Sequence, residues 1–198
     1  MNRQRAIVLK NHSPKRSILS LFDRDAGRID AINYAVATVP LGALIEYVPH
    51  EHQRGVQQKI TDIQLYDLPL ELAARDIMFL HHVLELCHGL IPLGSHDQDV
   101  FNLLQILYTS GHWIDESIYK KIFLSKLLVM LGLYPESVIL HHAWFLQIIQ
   151  TPFDEIIKCD LDRENEEKLD QWLQTCIASY PEASAFKTIH FLKKCREL

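Results

Sequence analysis

The stretch Ser17–Ile32, SILSLFDRDAGRIDAI, decides how this chain is read. Two short apolar runs lie on either side of the tight, charged turn Asp23–Gly27. Gly27 can take the positive φ that closes a short hairpin without strain, so the stretch reads as two antiparallel strands. The turn also carries Arg24 and Arg28 at its edges. They raise the question of whether it serves only the core or also a partner.

Working outward, Arg5–Lys10 (RAIVLK) precedes this hairpin, and Leu41–Val48 (LGALIEYV) and Lys59–Tyr66 (KITDIQLY) follow it. With Ser17–Phe22 and Ile29–Tyr34 they make five segments rich in Ile, Leu, Val and Tyr, the composition of strands. The loops between them, Asn11–Arg16, Asp23–Gly27 and Pro49–Gly55, hold Pro, Gly, Asn and Asp, which form turns. Five strands in under 70 residues, with a longer link after the third, suit a small barrel of the oligonucleotide-binding (OB) type.

From Asp67 the period changes. Leu72, Ile77, Leu80, Leu84 and Cys87 recur at helical spacing behind Pro69, until Gly89 and Pro92 stop the segment. Ser95 with Gln98 resembles a capping box ahead of the stripe Val100, Leu103, Leu104 and Leu107. Further helices are predicted over Asp115–Leu131, Ser137–Gln150, Glu164–Tyr180 and Ser184–Glu197. The expected architecture is α+β: a five-stranded OB-type barrel over residues 1–67, then an all-α domain over residues 68–198.

Composition fits a soluble globular protein, with 48% hydrophobic and 23% charged residues among 198. The net charge of −5 is unevenly spread. Residues 1–67 hold nine Lys/Arg against seven Asp/Glu, and residues 68–198 hold eleven against eighteen, so any electrostatic footprint for an anionic partner must come from local clustering in the first part. The start MNRQRAIVLK has too short an apolar run for a signal peptide, and no run reaches the roughly 20 residues of a membrane span. A cytoplasmic location is expected.

Catalytic and metal signatures are weak. Cys87, Cys159, Cys176 and Cys195 show no CxxC spacing, and His81, His82 and His88 around Cys87 lack the paired spacing and acidic partner of a zinc helix. The glycines form no GxSxG elbow, phosphate loop or GxGxxG turn. The reading is therefore of a protein that is not an enzyme and holds no metal or cofactor. Lys10, Lys15, Arg16, Arg24, Arg28, Arg54 and Lys59 sit at strand ends or in loops, where a small barrel meets an oligonucleotide. Tyr34, Tyr47 and Tyr66 offer stacking rings if they point outward.

The segments AIVLK, SILSLFDRDAGRI and LGALIEY, followed by a helix closing on LLVMLGLYP, resemble the RecO family of bacterial recombination and repair mediators over about Ala6–Pro135. The most specific element is Gly27-Arg28-Ile29. The chain departs from that family in the uncharged run Ala35–Pro40, where a basic, glycine-containing run is usual, and in lacking a four-cysteine zinc ribbon. The resemblance implies a DNA repair and recombination mediator without catalytic turnover. It would bind single-stranded DNA, promote annealing, and act with RecR to load RecA onto DNA coated by the single-strand DNA-binding protein, in the cytoplasm at the nucleoid. It also implies that the acidic C-terminal tail of the single-strand DNA-binding protein docks near Lys120 and Lys121. The alternative reading is a protein-interaction adaptor that has lost DNA binding.

Overall fold

The computed structural model describes residues 3–13, 18–33, 38–50, 57–109, 117–134, 142–152, 155, 161–180, 186 and 188. All five strands form: β1 (Gln4–Ser13), β2 (Ile18–Asp23), β3 (Gly27–Asn33), β4 (Leu44–His50) and β5 (Gln58–Asp67). They close into a barrel in the order β1-β2-β3-β5-β4, with β4 returning to β1. Every pairing is antiparallel except β3 with β5, a short parallel contact of Ala31–Asn33 against Gln58–Ile60. This is the OB order, and the chain is α+β. Residues 41–43 form a turn and extended entry, so β4 starts at Leu44 rather than Leu41.

Ala6, Val8, Leu19, Leu21, Ala31, Ile45, Tyr47 and Ile60 fill the barrel. Each fully buried aliphatic side chain contributes roughly 1.5–3 kcal/mol. Ile7 and Leu9 are buried as well, on the alternate face of β1, because α1 (Leu70–Leu90) packs against that strand. Helix α2 (Gln98–Thr109) supplies Phe101, whose ring meets Phe22 at 6.1 Å, and Tyr108, whose hydroxyl donates to the Gly42 carbonyl at 2.6 Å.

Two local details differ from the sequence reading. Helix α1 is kinked at Asp76 (φ −148°, ψ 78°), where the Asp76 side chain accepts from the Phe79 amide and caps a new helical start. The cap of α2 is Asp97, which accepts from the Asp99 and Val100 amides, and not Ser95. The Ser95 carbonyl is used elsewhere, against β3.

The chain divides into two compact units, Met1–His112 and Trp113–Leu198. The change from strand to helix near Asp67 therefore falls inside the first unit, since α1 and α2 pack on the barrel. The second unit contains α3 (Ser117–Met130), α4 (Ala143–Gln150) and α5 (Arg163–Ala178), around Ile122, Phe123, Leu127, Phe145, Leu169, Trp172 and Leu173. Asp162 caps α5 by accepting from the Asn165 amide at 2.8 Å. Of the helix expected over Ser184–Glu197 only Phe186 and Thr188 are described, neither of them helical, and the start of the one expected from Ser137 lies outside the described residues. No described helix is long and apolar enough to cross a membrane.

Candidate nucleic-acid interface

Ladder register sorts the basic strand ends onto two rims of the barrel. At one rim lies the β2–β3 turn. Asp23 is buried there, with one carboxylate oxygen accepting from the amides of Asp25 and Ala26 and the other from the Tyr47 hydroxyl at 2.6 Å. An aspartate that accepts from its own turn and from a buried phenol fixes the turn to the core. Burial and the neighbouring Asp23 together push the Tyr47 hydroxyl far above its ordinary range, so it stays a donor.

Gly27 follows with φ +76°, and an added Cβ would stand 2.1 Å from the Ser95 carbonyl oxygen. Glycine is required both for the backbone angle and for this approach. The residues after it are clasped by the α1–α2 connection. The Arg28 amide donates to the Ser95 carbonyl at 3.1 Å, and the Gly94 amide donates to the Arg28 carbonyl at 2.7 Å. The Arg28 guanidinium donates through Nη1 to the Ile91 carbonyl at 2.6 Å. A cation at the C-terminal end of α1 meets the negative pole of that helix. His88 stands 3.5 Å from the same guanidinium, and burial followed by the Arg28 charge pushes its pKa down to about 4.

Arg28, expected to touch phosphate, thus has its charged head engaged by the protein's own helix. Arg24 keeps an exposed side chain, although its carbonyl lies 2.8 Å from His96 Nε2. The turn's partner is the chain itself.

The other rim is defined by the matched ends Ser13 with Ile18, Ile18 with Ile32, Ile32 with Lys59, and Lys59 with His50. The loops β1–β2 and β4–β5 both begin and end there. Lys10 is exposed on β1 near this rim, and Lys59 is half-buried on β5. Lys15, Arg16 and Arg54 belong to those loops and lie outside the described residues. Two histidines that sequence reasoning passed over also stand here. His50 Nε2 lies 2.6 Å from Thr61 Oγ1, and His12 Nε2 lies 2.7 Å from Ser20 Oγ.

Ser20 in turn donates to Asp30 at 2.5 Å. Its only proton goes to the carboxylate, so His12 is the donor to Ser20 and cannot act as its base. This order differs from a nucleophile–base–acid triad, in which the imidazole sits between the other two. Burial pushes the His12 pKa down, aided by the nearby Lys10 charge.

Of the tyrosines considered for stacking, Tyr47 is buried and Tyr34 lies outside the described residues. Tyr66 is exposed, at the end of β5 away from the loop rim, with Arg5 4.1 Å from its ring centre.

The basic pair on α3 is divided. Lys121 is buried and its ammonium donates to Glu166 at 2.6 Å and Asp170 at 2.8 Å, both on α5. These carboxylates outweigh burial and raise its pKa. The Lys121 charge, expected to face an acidic tail, is thus taken up by two carboxylates inside the unit. Lys120 is half-buried. Lys126 is also turned inward, donating to the Ile149 and Thr151 carbonyls at the end of α4. Helical periodicity cannot reveal such pairings, because the partners come from other helices.

Among the described residues no three His, Cys, Asp or Glu side chains converge on a metal position. Cys87 is fully buried, and burial pushes its thiol up to about 12, so it remains protonated and inert. His82 on α1 is buried and its pKa falls to about 4 by desolvation.

Fold and interface together define a class: an OB-type barrel whose own helices clasp one rim and whose other rim joins basic loops. Beyond that class no family model matches the chain, and no curated protein matches it.

Proposed function

We propose that the chain is a RecO-like mediator of DNA repair and recombination, a non-catalytic protein that holds single-stranded DNA and helps complementary strands anneal. The observation that supports this reading most is the closed β1-β2-β3-β5-β4 barrel, bearing Lys10 and Lys59 near the rim where its two basic loops begin and end. Ammonium and guanidinium groups at loop ends neutralise phosphates without reading sequence, which is what annealing of arbitrary strands requires. Lys10, Lys15, Arg16, Arg54, Lys59 and the exposed Arg24 form the phosphate-contacting set, with Arg28 left out because its guanidinium is held by the Ile91 carbonyl. RecR, the tail of the single-strand DNA-binding protein and, indirectly, RecA are the partners this reading carries, and the cytoplasm at the nucleoid is its place of action.

The test is fluorescence anisotropy of a labelled oligo(dT) titrated with the protein from 50 to 300 mM salt. Affinity should fall steeply with salt, because each neutralised phosphate releases counterions. Absence of binding by folded protein at 50 mM salt would reject the reading. It would favour the second one, a protein-binding adaptor, for which the intramolecular use of Arg28 and Lys121 speaks.

A further inference from the structure

Leu19 and Leu21 point into the barrel, so Ser20 lies on the outer face of β2. Strand register builds a polar row there, since Lys10 pairs with Ser20 and Ser20 pairs with Asp30. Asn11 pairs with Leu19 and Ser13 with Ile18, which leaves His12 as the extra residue of a β-bulge, a device that re-aims a side chain. Its Nε2 reaches Ser20 Oγ at 2.7 Å. Arg28, two residues from Asp30 on β3, shares the face. His88 of α1 joins it, with its ring 5.7 Å from that of His12 and its Nε2 3.5 Å from Arg28 Nη2.

The charges of this group do not balance. The Arg28 head has a carbonyl and an imidazole as partners, both neutral, and its Nε–H is buried without an acceptor. Lys10 is exposed, and among the described residues neither cation has a carboxylate within ion-pair distance. Asp30 is the carboxylate that acts on both rings, and it already accepts the Ser20 proton. Two cations against one anion leave a net positive charge while the rings are neutral.

We propose that this row is an anion site, in which the Lys10 ammonium and the His12 ring hold a tetrahedral dianion of the phosphate class, free or at the end of a nucleic-acid strand. Arg28, fixed by Ile91, supplies positive field from behind the rings. With Nε2 donating to Ser20, Nδ1 is the His12 nitrogen left to take up a proton. Partial burial and then the Lys10 charge keep that ring neutral in the free protein, with Arg28 acting in the same direction and Asp30 against them. A dianion beside the group offsets both cations and favours the imidazolium. Binding is therefore coupled to proton uptake, and the anion binds tighter as pH falls. His88, pushed down to about 4, stays neutral through this range as the acceptor for Arg28.

The probe is sulfate, which remains a dianion at every pH used. It replaces chloride at constant ionic strength, with affinity read by calorimetry and the His12 ring by NMR. The proteins are the parent, Lys10→Gln, His12→Gln and, as a control of equal charge change, Arg163→Gln on α5. Sulfate should raise the His12 titration midpoint by about one pH unit and bind about threefold or more tighter at pH 5.5 than at pH 7.5. Lys10→Gln and His12→Gln should each weaken it by about fivefold or more, and Arg163→Gln by less than about twofold. An unmoved His12 midpoint, or equal losses from Lys10→Gln and Arg163→Gln, overturns the site. Displacement of sulfate by 5′-phosphorylated oligo(dT) but not by its 5′-hydroxyl form marks a strand end as the ligand, and displacement by neither marks the free ion. Equal displacement by both overturns the preference for a dianion. The site stands independently of the nucleic-acid reading, because sulfate has neither base nor strand and its failure to bind leaves oligo(dT) binding untouched.

Discussion

At the β2–β3 turn, Arg28 lays its guanidinium on the Ile91 carbonyl, and Gly27 and Arg28 hydrogen-bond or pack against Gly94 and Ser95. At the opposite rim, Lys10 stands exposed beside loops of similar composition. Both rims combine basic residues with turn-forming Asp, Asn, Pro or Gly. At the first the fold holds Arg28, and at the second Lys10 is exposed. The difference shows that a basic residue in a loop is available to a ligand only when no carbonyl or carboxylate of the same chain claims it. The second unit repeats the lesson in helices, where Lys121 and Lys126 are claimed by α5 and by the end of α4.

The comparison breaks most directly at Gly27. Gly27→Val combines a left-handed φ, worth about 1–2 kcal/mol for a residue with a Cβ, with overpacking of about 1–3 kcal/mol against the Ser95 backbone. A loss of about 2–5 kcal/mol in urea unfolding is expected, enough to leave little folded protein. A variant as stable as the parent would mean that the clasp contributes nothing.

Acid tests the clasped side through its histidines. His82 is buried with a pKa of about 4, below the ordinary 6.5, so the unfolded chain takes up the proton first as pH falls. Stability is complete above about pH 6.5 and declines toward pH 4, by on the order of 3 kcal/mol for His82 alone. His88 shifts in the same direction and adds to this. Urea midpoints at pH 7 and pH 4.5 check it, and equal midpoints would contradict the desolvation of these rings.

In the second unit, Lys121→Met keeps the volume but leaves Glu166 and Asp170 without their shared cation. Breaking a partly buried ion pair from one side is expected to destabilise by about 2–3 kcal/mol at pH 7. Thermal or urea unfolding of the variant measures it, and no loss would mean that the three charges contribute nothing net.

The smallest effects sharpen the contrast between neighbours on one turn. Arg28→Ala removes a charged hydrogen bond to a helix end and should lower stability by about 1.5–3 kcal/mol. Arg24→Ala, whose side chain is exposed, should change it by less than about 0.5 kcal/mol. Equal losses at the two positions would remove the distinction between a clasped and an open arginine.

Much of this fold is legible in the chain. The five strands appear within a few residues of their predicted ends because strand composition and turn chemistry are local properties. The helices over Leu70–Leu90, Gln98–Thr109 and Arg163–Ala178 follow their apolar periods for the same reason. Local patterns misled at Ser95, whose spacing to Gln98 imitates a capping box. Asp97 lies nearer the first turn and captures its amides, while the Ser95 carbonyl goes to β3. They misled again at Asp76, which looks like any polar helix position until its side chain is seen to cap a second start.

By itself, then, the sequence determined the α+β architecture, the strand and helix order, and the concentration of positive charge in the first third. It also determined that Gly27 closes a hairpin. Only the tertiary structure decided that the chain itself engages Arg28 and Lys121. Arg28 is separated by 63 residues from the carbonyl that holds it, and Lys121 by 45 and 49 from its two carboxylates. Such pairings are set by how helices pack on strands and on one another, through contacts that no periodicity of 2 or 3.6 residues encodes. A charge in the sequence is a potential contact, and the packed chain determines whether that contact is internal or left for a ligand.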